Sequence, residues 1–519
     1  MNAYSIWFLI AVTIAVVAVS WKNRGPPLLI VIVVALLFSV AEIAVNYPMI
    51  WRDVYLHGSS CIEIIEKGRI VDTWNPYPQS NPGFFLLWSI TSIVTGLQLF
   101  PSNLFLLLPL SVILLALAIV AIFRRLSLKR EYANSAALLA FLVMNFNTNE
   151  FVFAHFNTRL LSFLLSLTFF LMLLATKRSA VHTAALLVIY TSLVISHPLN
   201  SLLIAILLGV LMFVRVPRAT PSISFLFSCI VIYLFWSAYV SIAAVAEVGK
   251  LLLDFVSGMR FSAEIAYGWS PTAPRPEPVF GILLGVYYKV LLVVLGSLSL
   301  LSAVLLRRQR YAKFLFAYLL SVLVLYGTTF FLGLGDIAVN RGILFATVPL
   351  SGLPIMMCAS RWERHPNRGL GRKLVLFTLI IMLIVPQFVF AHELPLARYE
   401  RVGSMDATLR FIFDHRDHRS IAAIGDVPIY YCFYEPTFTD YRILWRSEWQ
   451  SLREVNSFFA NNTDSLKVID YKNIIDWGAI LRHDGSYQQA LREWDTEVSA
   501  KIDGQYLRVY SSGYEAIYV

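Results

Sequence analysis

The sequence has few charged residues, few cysteines and no low-complexity tract. Asp, Glu, Lys and Arg make up 14% of its 519 residues, whereas apolar residues make up 58%. Soluble domains carry about 25% charged residues, so this composition excludes a cytosolic enzyme. The four cysteines (Cys61, Cys229, Cys358 and Cys432) include no Cys-x-x-Cys pair, which argues against a zinc ribbon or a disulfide framework. The composition indicates a polytopic membrane protein.

Apolar segments long enough to cross a bilayer recur up to residue 391 and then stop. A membrane-spanning helix needs about 20 apolar residues. We predict spans at 4–20, 27–47, 103–123, 133–147, 159–176, 181–196, 199–214, 222–245, 280–306, 314–334, 342–360 and 373–391. The expected fold class is therefore an all-α polytopic membrane protein with about 12–13 transmembrane helices.

The distribution of charge over the connecting loops predicts the orientation of these spans. Basic residues concentrate in alternate loops, at 22–24, 124–130, 177–178, 215–218, 307–313 and 361–373. Such loops face the cytoplasm, so the loops 48–82, 147–158 and 246–279 are predicted to face outward. The alternation requires that the apolar stretch 83–100 does not cross the membrane. We predict a surface-lying or re-entrant helix there, with Ser89, Ser92 and Thr95 as a polar stripe.

The composition changes after residue 391. Residues 392–519 contain more acidic than basic residues, and their aromatic and β-branched residues come in short bursts at 420–424, 429–433, 466–469, 507–510 and 516–519. Helical stretches at 406–413 and 448–460 lie among them. We predict a domain boundary between a transmembrane domain, 1–391, and a small extracytoplasmic α/β domain, 392–519.

The first predicted outer loop contains the most informative residues. Asp53 lies where the second span leaves the membrane, followed by Tyr55 and His57. A carboxylate at this boundary can accept a proton from a hydroxyl group or hold a divalent cation. An alternative is that Asp53 pairs with Arg52 or ends a helix. Position alone does not separate these interpretations.

The wider pattern comprises Asp53-x-Tyr55-x-His57, the acidic Ile-rich segment 63–68, the turn Tyr77-Pro-x-x-x-Pro82 and the span Arg341–Leu350. This pattern resembles the GT-C superfamily of membrane glycosyltransferases. The resemblance implies that Asp53 is the catalytic or metal-holding carboxylate and that Arg341 contacts a lipid phosphate. The alternative for Arg341 is an arginine that extends from a helix end to the membrane interface. The resemblance also implies a polyprenyl-phosphate-linked sugar as donor. We assign substrate binding to His57 and Tyr77 of the same loop.

The second outer loop supplies further candidates for substrate binding. Glu150, His155 and Arg159 could contact the donor phosphate or sugar, or they could belong to a loop that packs on the first outer loop. The double-acid metal motif of the oligosaccharyl transferases is reduced here to Asn147, Asn149 and Glu150. The sequence therefore identifies no metal ligand and leaves open whether a divalent metal takes part.

These observations predict a glycosyltransferase of the plasma membrane with its C-terminal domain outside. Its expected partners are a polyprenyl-phosphate sugar, a protein, lipid or glycan acceptor, and membrane lipid, with no nucleic acid. Asp53 is the expected catalytic base. The alternatives are a lipid or polysaccharide transporter or flippase, and a non-catalytic scaffold or sensor. No P-loop, dinucleotide-binding or serine-hydrolase motif is present in the sequence.

Overall fold

The fold was determined from a computed structural model of the chain. It describes residues 52–70, 77–97, 104–126, 128–144, 158–175, 179–216, 219–241, 279–331 and 335–364. In the C-terminal region it describes 408, 410–415, 420–424, 441–444, 461, 465–470, 508–511 and 515–518. Near the N-terminus it describes helical residues between 28 and 36, with gaps.

The described part of the chain is mostly helical. The helices are α1 (Arg52–Lys67), α2 (Tyr77–Ser80), α3 (Gly83–Thr95), α4 (Leu104–Arg125), α5 (Arg130–Met144), α6 (Thr158–Leu173), α7 (Ala180–Ser196), α8 (Pro198–Val214), α9 (Ile223–Tyr239), α10 (Val279–Leu305), α11 (Arg310–Phe331) and α12 (Gly335–Arg364). Helices α4 to α12 coincide with the spans predicted from 103 to 360. The predicted spans 4–20 and 373–391 lie outside the described residues.

Local sequence signals account for several helix ends. Ser179 and Ser222 are N-caps whose hydroxyls accept from the backbone N–H groups of His182 and Phe225, 3.1 and 3.2 Å away. Pro198 begins α8, where a missing N–H has no consequence. Helix α12 differs from the prediction at its start, because it begins at Gly335 and not near residue 342, where the predicted span begins.

The helices pack around a continuous apolar core. Helix α12 packs between α5 and α11, while α8 packs on α7, α9 and α11. Gly352 of α12 faces Phe123 of α4 and Leu315 of α11 so closely that a Cβ atom there would lie 2.7 and 2.8 Å from their side chains. Close packing of this kind lets three helices meet at one glycine.

Helix α3 confirms the helix predicted within 83–100, and two of the three residues of the predicted polar stripe face inward while Thr95 is exposed. Ser89 and Ser92 are buried, whereas Leu87, Ile90 and Val94 are exposed, Val94 by 78%. A helix on a water-facing surface would show the opposite pattern. The exposed apolar face of α3 is instead suited to lipid.

The described residues of the C-terminal region include a five-stranded sheet. Its strands are β1 (Ile421–Ile424), β2 (Tyr441–Leu444), β3 (Leu466–Asp470), β4 (Arg508–Ser511) and β5 (Glu515–Tyr518), in the spatial order β2-β1-β3-β5-β4. Strand β1 runs parallel to β2 and β3, and β5 runs antiparallel to β3 and β4. The bursts at 420–424, 466–469, 507–510 and 516–519 form strands. Strand β2 was not predicted, and 429–433 and 448–460 lie outside the described residues.

The chain divides into two compact units. The first comprises 1–45, 75–269 and 284–392, and therefore contains α2 to α9, α11 and α12. The second comprises 46–74, 270–283 and 393–519. Helix α1 thus belongs to the same unit as the sheet. The outward placement of the sheet stays a prediction.

Candidate functional site

Helix α1 carries the predicted catalytic aspartate near its first turn. Asp53 is its second residue, and His57 and Cys61 follow at intervals of four, so all three positions lie on one face of the helix. His57 and Cys61 are buried. On another face, Lys67 donates to Glu63 across 2.6 Å, an ion pair one turn apart. The side chain of Asp53 lies outside the described part of the structure.

For the remaining predicted residues, the structure describes the whole residue, the backbone alone, or neither. Tyr77 is the first residue of the short helix α2, but its side chain is outside the described part. Glu150 and His155 lie outside the described residues altogether. Arg159 is the second residue of α6 and is half-buried. Arg341 lies on α12, where the backbone is described and the side chain is not.

A ring contact relates the two arginine-bearing helices. Phe163 of α6 and Phe345 of α12 lie edge to face, with ring centroids 5.2 Å apart. Arg159 lies one helical turn before Phe163, and Arg341 lies one turn before Phe345. Residues four apart lie on one helix face and are separated by about 6 Å along the axis.

Helices α6 and α12 run in the same direction. Helix α11 is antiparallel to α12, because Tyr326 stacks on Phe345 while Leu315, about three turns earlier in α11, meets Gly352, which comes later in α12. Phe163 of α6 and Tyr326 of α11 both contact Phe345, so they lie at one level. Helix α6 is antiparallel to α11, because Phe170, about two turns after Phe163, contacts Tyr318, about two turns before Tyr326, with ring centroids 4.7 Å apart. Arg159 and Arg341 therefore each lie one turn N-terminal to the same ring contact. Because the two helices are parallel, the two positions lie at the same level.

A turn between α2 and α3 is fixed to two other helices of this unit. The carbonyl oxygen of Ser80 accepts hydrogen bonds from Trp236 Nε1 at 2.9 Å and from Ser241 Oγ at 2.8 Å, at the end of α9. Gly83 lies against the end of α7, where an added Cβ would be 2.5 Å from Ser196 Oγ. The turn 80–83 is thus held between the C-terminal ends of α7 and α9.

The junction of α7 and α8 is buried and polar. His197 joins the two helices, and its backbone N–H donates to the carbonyl of Leu193 at 2.8 Å. Asn200 on α8 donates from Nδ2 to Ser162 Oγ on α6, and Ser162 in turn donates to the carbonyl of Arg159 at 3.0 Å. This chain of bonds connects the α7–α8 junction to the end of α6 that carries Arg159. We call the turn 80–83, the junction 196–201 and the start of α6, 158–162, the polar layer.

Asn81 is the polar-layer residue that sequence reasoning missed. It has 0% exposure, and among the residues that the structure describes neither its Oδ1 nor its Nδ2 finds a hydrogen-bond partner. Buried amides are almost always paired, because an unpaired one loses its bonds to water without replacement. Asn-Pro is a common turn signal, and a turn alone accounts for Asn81 at the level of the sequence.

No metal centre is evident in the part of the chain that the structure covers. Within those residues, no group of three His, Cys, Asp or Glu side chains is placed to hold a metal ion.

Comparison with known proteins relates the chain to others by fold. No protein-family profile matches it, and no curated protein sequence is detectably similar. The solved structure of ArnT from Cupriavidus metallidurans bound to undecaprenyl phosphate superposes with a TM-score of 0.54, covering 94% of this chain and 97% of that one at 11% identity. The oligosaccharyltransferase of Archaeoglobus fulgidus, tethered to an acceptor peptide, superposes with a TM-score of 0.53 over 89% of this chain and 71% of that one at 12% identity.

The chain has a GT-C-like fold. The A. fulgidus enzyme, AglB, has also been solved with an inhibitory peptide and a dolichol-phosphate, and that structure superposes with a TM-score of 0.52 at 11% identity, covering 89% of this chain and 72% of that one. Two described helical segments of the GT-C-like chain, Arg310–Thr328 and Gly342–Ser360, are long and apolar enough to cross a membrane. Together with its membrane-protein neighbours, they indicate a membrane protein.

Proposed function

We propose that this chain is a membrane glycosyltransferase. It moves a sugar from a polyprenyl-phosphate carrier to a hydroxyl group of an acceptor on the outer face of the plasma membrane. One observation carries the proposal. Arg159 and Arg341 lie at the same level of two parallel helices, each one turn N-terminal to the contact between Phe163 and Phe345. The GT-C-like fold and the phosphorylated lipid carriers named in the neighbouring structures support it.

Two arginines at one level suit a phosphate group. A guanidinium group remains charged at any physiological pH, and its planar fork matches two phosphate oxygens. The leaving phosphate gains negative charge as its bond to the sugar breaks. Fixed cations at that point stabilise the transition state more than the ground state. In this proposal, Arg159 and Arg341 hold the carrier phosphate as it departs.

Asp53 is the proposed general base. As the acceptor oxygen forms its bond to the anomeric carbon, Asp53 takes the proton of that hydroxyl. The bond between the anomeric carbon and the phosphate oxygen breaks, and the phosphate leaves with the electron pair. His57 lies one turn along the same face of α1 and contacts the substrate or Asp53 from there. Glu150, His155 and Tyr77 shape the pocket.

The orientation of the protein follows from the same proposal. The loops that carry Asp53 and Glu150 face outward, where the carrier delivers its sugar, and the sheet-containing domain 392–519 lies on that side. The acceptor is a protein, lipid or glycan hydroxyl. The basic loops, including the exposed Arg124, Arg125, Arg307 and Arg308, face the cytoplasm.

The lipid fraction of membranes tests this function. Polyprenyl-phosphate sugars would be quantified by mass spectrometry in hosts that make them and that express wild type, Asp53→Asn, Glu66→Gln or no protein. Glu66 is an exposed acid on the same helix and serves as the matched control. Wild type and Glu66→Gln are expected to deplete one sugar-charged carrier, and Asp53→Asn is not. Equal carrier levels in all four membranes would favour a scaffold, whereas redistribution of the carrier between leaflets without loss of sugar would favour a flippase.

A further inference from the structure

The turn 80–83 contains a buried side chain with capacity for two different hydrogen bonds. Asn81 offers an acceptor at Oδ1 and donors at Nδ2, and both atoms lack a partner among the described residues. The neighbouring Ser80 and Gly83 are both engaged, one by hydrogen bonds to α9 and the other by close packing on α7. Asn81 is therefore held in place by contacts that its own side chain does not make.

The unpaired amide of Asn81 has an effect on the stability of the folded protein. A fully covered amide without partners destabilises the folded state, and an apolar side chain of similar size would remove that cost. Asn200, at the same polar layer, shows the ordinary arrangement, because its amide is bonded to Ser162. A buried polar group without a partner requires an explanation, and a role in catalysis or in binding an ion is among the known ones.

The missing bonds define the chemistry of the ligand. A phosphate oxygen only accepts hydrogen bonds, so it would satisfy Nδ2 and leave Oδ1 unpaired. Two hydroxyl groups on adjacent carbons satisfy both atoms, since one donates to Oδ1 and the other accepts from Nδ2. Sugars present such pairs.

We propose that the Asn81 amide binds two adjacent hydroxyl groups of the donor sugar. This inference rests on the proposed glycosyl transfer and adds the residue that recognises the sugar. Because Asn81 is completely covered, the side chains that cover it move aside when the sugar enters, while the contacts of Ser80 and Gly83 keep the turn 80–83 in place.

Two lipid probes separate recognition of the sugar from recognition of the phosphate. Binding to the protein in nanodiscs would be measured for undecaprenyl phosphate and for the same lipid carrying glucose, mannose or galactose. The variants are Asn81→Leu and, as the matched control, Asn200→Leu. Thermal unfolding of each variant would be recorded without lipid.

We expect Asn81→Leu to bind undecaprenyl phosphate within twofold of wild type. Its affinity for the sugar-bearing lipid that wild type prefers should fall at least tenfold, because a site built for hydroxyl groups loses its specific partners. Its unfolding temperature should equal or exceed that of wild type, whereas Asn200→Leu should unfold at a lower temperature.

Other outcomes overturn the inference. If Asn81→Leu unfolds as early as Asn200→Leu, the amide is structural. If it weakens both probes equally, or neither, Asn81 does not recognise the sugar. If wild type binds both probes equally, the sugar is not recognised at all, while the lipid-binding part of the proposed function stands. If wild type binds neither probe, the proposed function itself fails, and the inference fails with it.

Discussion

Phe163 and Phe345 join two parallel helices edge to face, with their ring centroids 5.2 Å apart. One turn before each of them is an arginine, Arg159 on α6 and Arg341 on α12. The sequence separates these arginines by about a third of the chain, and the helix packing returns them to one level. Because they lie at one level, we interpret the two arginines together as a candidate phosphate site.

The first prediction is that Arg159 and Arg341 act on the same group. Replacing either by Lys keeps the charge and loses the planar fork, so the KM for the lipid donor should rise about tenfold. In a double-mutant cycle, the two replacements should be strongly non-additive, because both weaken one phosphate contact. Steady-state kinetics of the four proteins measure this. Arg308→Lys, at an exposed basic loop, is the control and should change nothing. Independent effects that multiply would show that the arginines hold different groups.

The second prediction concerns the close approach of α3 to α7. Gly83→Ala should destabilise the protein by about 1–3 kcal/mol, because its Cβ would lie 2.5 Å from Ser196 Oγ and 3.3 Å from the Ser196 backbone. Gly209→Ala has nothing within 4 Å of its Cβ and should be neutral or stabilising by up to about 1 kcal/mol. Thermal unfolding in nanodiscs compares the two. Adding Ser196→Ala should restore part of the loss in Gly83→Ala. Equal unfolding temperatures for both glycine variants would contradict the packing.

Hydropathy and charge predicted much of this fold, since α4 to α12 occupy the expected spans. The first residues of α12 were missed because Gly335, Asp336 and Arg341 precede the apolar run that set the predicted span at 342–360, although glycine is well tolerated in membrane helices. Strand β2 (Tyr441–Leu444) was missed because four residues interrupted by Arg442 carry little pattern, and its pairing with β1 decides its conformation.

Less of the candidate site than of the fold could be predicted from the sequence. Asp53, His57 and Arg341 were chosen through a resemblance, and Arg159 through its position in a loop. Their spatial relation depends on ring contacts between distant helices, which no local pattern encodes. Asn81 was overlooked for a related reason, because its lack of partners is a property of the packed structure rather than of the Asn-Pro sequence.

The third prediction is that α3 lies in the membrane with its apolar face toward lipid. Nitroxide labels at Ile90→Cys and Val94→Cys should be more accessible to oxygen, which concentrates in lipid, than to a water-soluble nickel complex. A label at Glu66→Cys, an exposed position on α1, should show the reverse. Electron paramagnetic resonance in liposomes measures both, in a background where Cys358 and Cys432 are replaced by Ser. Preference for the nickel complex at Val94 would place this face in water.

The fourth prediction tests backbone strain at the end of α8. Arg215 has φ +54°, in the left-handed region that favours glycine. Arg215→Gly should raise the stability by about 1 kcal/mol. Arg215→Ala removes the same charge and keeps the strain, so the difference in thermal unfolding between the two variants isolates the backbone effect. An alanine variant as stable as the glycine variant would show that φ at this residue carries no cost.

The most direct test of the account is the reaction itself in a purified system. The protein in nanodiscs would be given the sugar-charged carrier identified in membranes, with its acceptor pool, and release of free polyprenyl phosphate would be followed by mass spectrometry. The account predicts steady release by wild type and Glu66→Gln and a loss of at least a hundredfold in Asp53→Asn, as expected when a catalytic base is removed. Release by Asp53→Asn at the wild-type rate would contradict the role of Asp53, and no release by a folded wild-type protein that binds the carrier would contradict the transferase itself.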